Sequence, residues 1–295
     1  MILLLVALLL GVALGAVLYR ALTDLLARPV FLRANYRGSP ISTAGGIVIV
    51  LAVFCLTAML SVLAALNVRM PAGVVASCEL TALAVAGFGL LGLLDDVAQD
   101  TGSSGYRGHL TSVLSGKLTA GSLKMIAGPA FALVLVLPLQ QNSLLWLLVD
   151  AAIIALAANL ANLFDRAPGR VTKFSCFCLA ALVIASGVWA LVAGSVQLQT
   201  FTGLLGLCVA VGAACGMLPA ELKERVMLGD TGANPLGAAI GLAVVLTQSA
   251  PVRLGVIVAL LLLNLLSERV SFSAVINRVA PLRAIDQLGR IPEQG

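Results

Sequence analysis

Apolar residues run in long blocks along this chain, separated by short polar stretches. The blocks fall at about 1–19, 44–66, 74–94, 123–139, 143–163, 174–194, 200–219, 232–249 and 252–267. A helix rising 1.5 Å per residue needs about 20 residues to cross a hydrocarbon core ~30 Å thick. The pattern therefore predicts about nine transmembrane helices and an all-α polytopic membrane protein. The blocks at 123–139 and 252–267 are short, so a broken or tilted helix is expected there. Residues 1–267 read as the transmembrane domain and 268–295 as a polar C-terminal segment. The first block carries no Lys or Arg before Arg20, the reverse of a signal peptide's charge order, and is expected to be retained as a helix. Gly11 and Gly15 on it predict close helix packing. Gly87, Gly89 and Gly92 match the dinucleotide-binding fingerprint, which requires a strand before it and a helix after it. Inside one apolar run the same glycines predict helix packing instead.

Composition excludes a single aqueous core: 60% of the 295 residues are hydrophobic and 11% charged, against about 25% charged in soluble domains. Mean hydropathy is +1.08. The net charge of +5 reads as topology and lipid contact, and no basic cluster separable from the loops argues for nucleic acid. With the N-terminus outside, only Arg69 and Arg253 of the 18 Lys and Arg fall on the outer side. The positive-inside rule then places the C-terminus in the cytoplasm, in a multi-pass protein of the plasma membrane. The six Cys (55, 78, 176, 178, 208 and 215) form no C-x-x-C pair and read as small core hydrophobes. His109 is the single histidine, which excludes His-rich metal sites; it is expected to serve as a loop hydrogen-bond partner.

Against this background the carboxylates stand out. The third block stops at Asp95-Asp96. Adjacent carboxylates beside a membrane are costly to ionise without a partner, and a divalent cation is a ready one, Mg²⁺ where phosphate is also present. A second cluster is Asn159-x-x-Asn162-x-x-Asp165, whose spacing puts all three on one face if the helix persists. Arg166 and Arg170 follow, and arginine suits bidentate phosphate contacts. A third is Gly229-Asp230-Thr231-Gly232, where small residues let a carboxylate and backbone N–H groups approach a metal–phosphate closely. The plainer reading of that stretch is a loop in which Asp230 or Thr231 caps the next helix and Pro235 lies in its first turn. In the orientation above, Asp95, Asp96, Asp165 and Asp230 all face the cytoplasm. Glu79 and Asp150 lie towards the outer side and are expected to make polar contacts between helices.

These segments, with Arg37-Gly38-Ser39-Pro40 and Gly45-Gly46, resemble the polyprenyl-phosphate N-acetylhexosamine-1-phosphate transferase superfamily. Gly92-Leu93-Leu94-Asp95-Asp96 is similar to its Gly-rich Asp-Asp segment, Asn159 to Asp165 to its Asn-rich loop, and Gly229 to Ala233 to its Gly-Asp-x-Gly-Ser segment, with Ala for Ser. The resemblance implies an Mg²⁺-dependent transfer of a sugar-1-phosphate from a UDP-amino sugar to a polyprenyl phosphate, releasing UMP, in cell-wall glycan synthesis. It places Asp230 and Asp95 at the metal, and Asp95, Asp96 and Asp165 as catalytic. Asn159, Asn162, Arg166, Arg170, Lys117, Lys124 and Arg37 become candidate substrate contacts, although Lys117 and Lys124 read first as interfacial anchors. A homodimer is a possible assembly. The chain departs from the superfamily in carrying Asn162 where peptidoglycan-type members have Asp and in showing no His-rich loop near 267–295, and residues 270–295 read as too polar to form the superfamily's last helix. A transporter using intramembrane polar residues, or a non-catalytic lipid-binding member, is the alternative.

Overall fold

The computed structural model describes residues 1–35, 37–98, 120–139, 143–192 and 201–292. Among these residues nine long helices dominate: α1 (Ile2–Leu26), α2 (Ile47–Ala65), α3 (Val74–Ala98), α4 (Ala120–Val136), α5 (Leu144–Phe164), α6 (Arg170–Val192), α7 (Leu205–Leu222), α8 (Asp230–Thr247) and α9 (Ala250–Ser267). Two short helices, α10 (Phe272–Arg278) and α11 (Ala280–Gln287), follow. Among the described residues, eight helices are long and apolar enough to cross a membrane. The protein is a multi-pass, all-α membrane protein, and large side chains such as Leu9, Phe177 and Leu262 are exposed on the helices' outer surfaces.

The remaining expected span, α8, differs from the others in composition. Nearly all of its 18 residues are buried, with α3 and α5 as its main neighbours. A helix surrounded by protein has no lipid-facing surface to make apolar. It is rich in Gly and Ala instead, which lets neighbouring backbones close in. The short block at 123–139 is helical to Val136 and ends in a 3₁₀ turn, Leu137–Leu139. That tighter winding is a frequent end for an α-helix.

Glycines set the packing distances where the sequence suggested they would. A Cβ at Gly11 or Gly15 of α1 would collide with the α7 backbone at Val209 or Ala213. Gly87, Gly89 and Gly92 all lie inside α3. Gly87 faces the Phe131 ring, and a Cβ on Gly92 would overlap the Asp230 carbonyl. The fingerprint is helix packing, and Gly92 is what brings the end of α3 against the start of α8.

The polar stretch between the first two apolar blocks contains a short sheet. Strands β1 (Leu32–Ala34) and β2 (Pro40–Ser42) form an antiparallel hairpin, pairing Leu32 with Ser42 and Ala34 with Pro40. Met227 N–H donates to the Ser42 carbonyl at 2.7 Å, and Gly45 and Gly46 N–H donate to the Met227 and Leu228 carbonyls. The hairpin thereby ties the turn before α8 to the start of α2. Gly229 closes that turn with φ of +67°, a backbone region that disfavours any side chain.

Candidate functional site

The ends of α3, α5 and α8 meet at one end of the bundle, with α4 beside them. There the Lys124 ammonium contacts an Asp230 carboxylate oxygen and lies 3.6 Å from an Asp95 oxygen. Asn162 Nδ2 donates to the same Asp230 oxygen at 3.2 Å. Two acids from helices far apart in sequence thus share one cationic centre. Each of the three charged side chains keeps partial access to solvent, as a ligand site requires.

Asp96 does something different. Its Oδ1 accepts the Asp230 N–H at 3.2 Å, and its Oδ2 accepts the Thr231 N–H at 2.9 Å and the Thr231 hydroxyl at 2.6 Å. Gly229 stands at the N-cap of α8 and has no side chain to cap with. Asp96, reaching across from α3, takes that role and places a negative charge at the positive end of the α8 dipole. Neither Asp230 nor Thr231 caps the helix with its own side-chain oxygen. Pro235 lies in the second turn of α8 rather than the first. Arg33 Nη2 donates to the Asp96 carbonyl at 2.6 Å, so the hairpin also grips this corner.

The α5 face is divided. Asn159 Nδ2 donates to Asn264 Oδ1 of α9 at 2.6 Å, and Asn264 Nδ2 in turn donates to the Leu260 and Leu156 carbonyls. The helix ends at Phe164, so Asp165 is its C-cap and does not extend the Asn159–Asn162 spacing. Burial pushes the Asp165 carboxyl well above its ordinary value, and the charges of Glu221, Asp230 and Asp96 push the same way. The Gly229 N–H offsets only part of this.

Two cavities flank the site. A cleft of about 460 Å³ has Asp95, Lys124, Asn159, Asn162 and Arg166 at its polar end and Phe88, Leu91, Met125 and Leu156 on its apolar walls. A cavity of about 210 Å³ lies between the hairpin, the α5–α6 loop and the end of α7, lined by Asn35, Asp165, Arg166, Glu221 and Glu224. Arg166 borders both, so the two spaces adjoin.

Of the expected substrate contacts, Lys124, Asn159, Asn162 and Arg166 line the larger cleft. Arg170 and Arg37 do not. Arg170 is buried, and its Nε and Nη2 donate to both Asp286 oxygens at 2.8 and 3.0 Å. Arg37 Nε pairs with Glu224 at 2.9 Å, and its Nη2 donates to the Ile291 carbonyl at 3.1 Å. Both guanidiniums are engaged with protein groups, which a phosphate contact would have to displace. Lys117 and His109 lie outside the described residues. Glu221, Glu224, Asn264 and Asp286 were not singled out from sequence. Asn264 carried a usable signal, a polar residue in an otherwise apolar run; the other three lie in polar stretches that look generic.

Among the described residues no group of three or more His, Cys, Asp or Glu forms a metal site. Mg²⁺, however, is held by one or two carboxylates plus substrate phosphates. Asp95 and Asp230, already converged on one cation, fit that donor set.

No family model matches the chain. A curated relative is phospho-N-acetylmuramoyl-pentapeptide-transferase of Moorella thermoacetica, 31% identical over 152 residues, which cover 50% of this chain and 45% of that relative. The chain thus matches a little under half the relative's length. The relative is a transferase of the superfamily that the motifs resemble, which lends weak support to that superfamily, to a phospho-sugar transferase and to enzymatic activity.

Proposed function

We propose that the protein transfers a sugar-1-phosphate from a UDP-amino sugar to a polyprenyl phosphate at the cytoplasmic edge of the plasma membrane. The observation that carries this reading is the larger cleft: its walls are apolar and its end is polar, with Asp95, Lys124, Asn162 and Asp230 converging there. One substrate is greasy with a charged head and the other is a water-soluble diphosphate, so they can meet only where lipid gives way to cytosol.

In the reaction, an oxygen of the lipid phosphate attacks the β-phosphorus of the nucleotide sugar. The bond from that phosphorus to the oxygen bridging the two phosphates breaks, and UMP leaves with the bridging oxygen. Polyprenyl diphosphate-sugar is the second product. The lipid phosphate is already largely ionised at neutral pH, so no base is needed to activate it. Charge placement is the protein's main task. Lys124 puts an ammonium where the phosphates gather, and Arg166 lies at the junction of the two cavities. Asp96 fixes the start of α8, and so fixes Asp230. Asp230 and Asp95 would hold Mg²⁺, which when bound neutralises the diphosphate and the charge growing on UMP.

The test is purified protein with undecaprenyl phosphate, Mg²⁺ and a panel of UDP-sugars, scored for UMP release. Release that requires both lipid phosphate and divalent cation is expected. No release with any UDP-sugar removes the transferase reading and leaves a lipid-binding or transport protein.

A further inference from the structure

The segment after α9 is short of reasons to stay folded. Helices α10 and α11 have seven and eight residues, below the length at which a helix holds in water by itself. Val275, Val279, Leu282 and Ile285 are exposed, so apolar burial does little to dock it. Yet Asp286, in the middle of this exposed stretch, is only 5% accessible.

Its contacts explain why. Asp286 takes both the Nε and Nη2 of Arg170 and a donor from Arg290. Arg170 also donates to Ser273 Oγ at 2.8 Å, and Arg290 Nε donates to the Pro168 carbonyl at 3.0 Å. Lys173 donates to the Asp286 and Leu288 carbonyls at 2.9 and 2.7 Å. The Phe272 ring stacks on Phe164, with centroids 5.1 Å apart. Phe164 and Arg170 bracket the five-residue α5–α6 loop, Pro168 lies within it, and that loop carries Asp165 and Arg166. Asp165 is buried beside other acids, so its place depends on how the surrounding loop is held.

We propose that Asp286 is a positioning residue: the C-terminal segment folds back as a clamp on the α5–α6 loop and holds Asp165 and Arg166 in place for a diphosphate-bearing substrate. The substrate part of this inference rests on the transferase reading; the clamp itself does not.

The experiment uses full-length protein in nanodiscs and two readouts. Backbone hydrogen exchange over 165–170 needs no substrate. UMP release separates KM for the nucleotide sugar from kcat. Asp286→Asn should speed exchange across 165–170 at least tenfold while α2 stays unchanged. It should raise KM about tenfold and move kcat less than threefold, and Asp286→Glu should restore part of both. Loop exchange as slow as in the unaltered protein overturns the clamp. A loosened loop with unchanged KM overturns the positioning role. If the unaltered protein releases no UMP, the transferase reading falls and the exchange data still decide the clamp. Should Asp286→Asn not yield folded protein, Phe272→Ala removes the ring over Phe164 and is read in the same way.

Discussion

Helix α5 has an acid near each end, and the two ends use them in opposite ways. Near its start, Asp150 is fully buried. Arg253 Nη1 donates to it at 2.6 Å, and the guanidinium lies 4.8 Å over the Trp146 ring. One acid meets one cation and one ring, and the contact joins α5 to α9. At the other end, Asp165 lies near Asp96, Asp230 and Glu221, while Lys124 bridges Asp230 and Asp95. Among the described residues, Asp95, Asp165 and Glu221 line the two cavities, with Lys124 and Arg166 as the cations beside them. A buried acid–guanidinium contact between helices is architecture; carboxylates that converge on a shared cation beside open cavities are what a site awaiting a charged ligand looks like.

The largest difference between the two ends is expected at Asp230. Asp230→Asn should cut UMP release by 10³ or more, equivalent to about 4 kcal/mol at the transition state, and added Mg²⁺ should not restore it. Asp150→Asn should leave turnover within about threefold. It should instead lower thermal stability by about 3 kcal/mol, because Arg253 loses its buried partner. Near-normal release from the Asp230 variant would take Asp230 out of the site.

Smaller effects sharpen the picture within the acidic end. Lys124→Met should lower turnover by about 10², the scale of losing one preorganised group that stabilises developing charge. Asp95 and Asp96 are neighbours in sequence but have different employment. Both Asp96 oxygens are taken by the N-terminus of α8, whereas Asp95 faces Lys124 and the cleft. Asp96→Asn keeps a capping oxygen and should lose less than tenfold in turnover, with a stability cost near 1 kcal/mol from the helix dipole. Asp95→Asn should lose considerably more turnover. Equal losses in the two variants would return Asp96 to the chemistry.

What was legible in the sequence follows from how strongly lipid constrains a chain. Every long helix matches an apolar block, because backbone in hydrocarbon must satisfy its own hydrogen bonds. Even α8 was visible, although burial by protein let its composition drift towards Gly and Ala. Gly11, Gly15 and Gly92 were readable because a missing Cβ has one dominant use between helices. Glu79 and Asp150 do make the expected inter-helix contacts, with Ser61 and Arg253. The convergence of Asp95 and Asp230 could be anticipated only from the motifs' likeness to a family and from a common face. Partner choice was not legible. Nothing local distinguishes Asp95 from Asp96, since the difference is made by Gly229, which lies far along the chain and lacks a capping side chain. The β-hairpin escaped because three-residue strands carry too little alternation to register. Arg170 read as a phosphate contact because its partner, Asp286, lies 116 residues away in a stretch with no pattern of its own.

Two acids at this end, Asp165 and Asp286, should respond to pH with opposite signs. Burial alone would raise the Asp286 carboxyl, but Arg170, Arg290 and Lys173 hold it below the ordinary carboxylate range. Its stabilising contribution is therefore complete above the unfolded value of about 3.9 and is lost only as pH falls through the lower folded value. Asp165 has the opposite sign. Burial and its acidic neighbours raise its folded value, so the folded state binds more protons than the unfolded one between the two values, and stability falls as pH rises across that window. Lowering the pH from neutrality towards about 4 should thus relieve Asp165 while Asp286 stays charged and paired. Exchange over 165–170, corrected for its intrinsic pH dependence, should slow on that descent and quicken again at lower pH. Asp165→Asn should abolish the slowing, raise the melting temperature at pH 7 by a few degrees, and leave the acid limb intact. Loss of the acid limb in Asp165→Asn would mean that one carboxylate, not two of opposite sign, governs this loop.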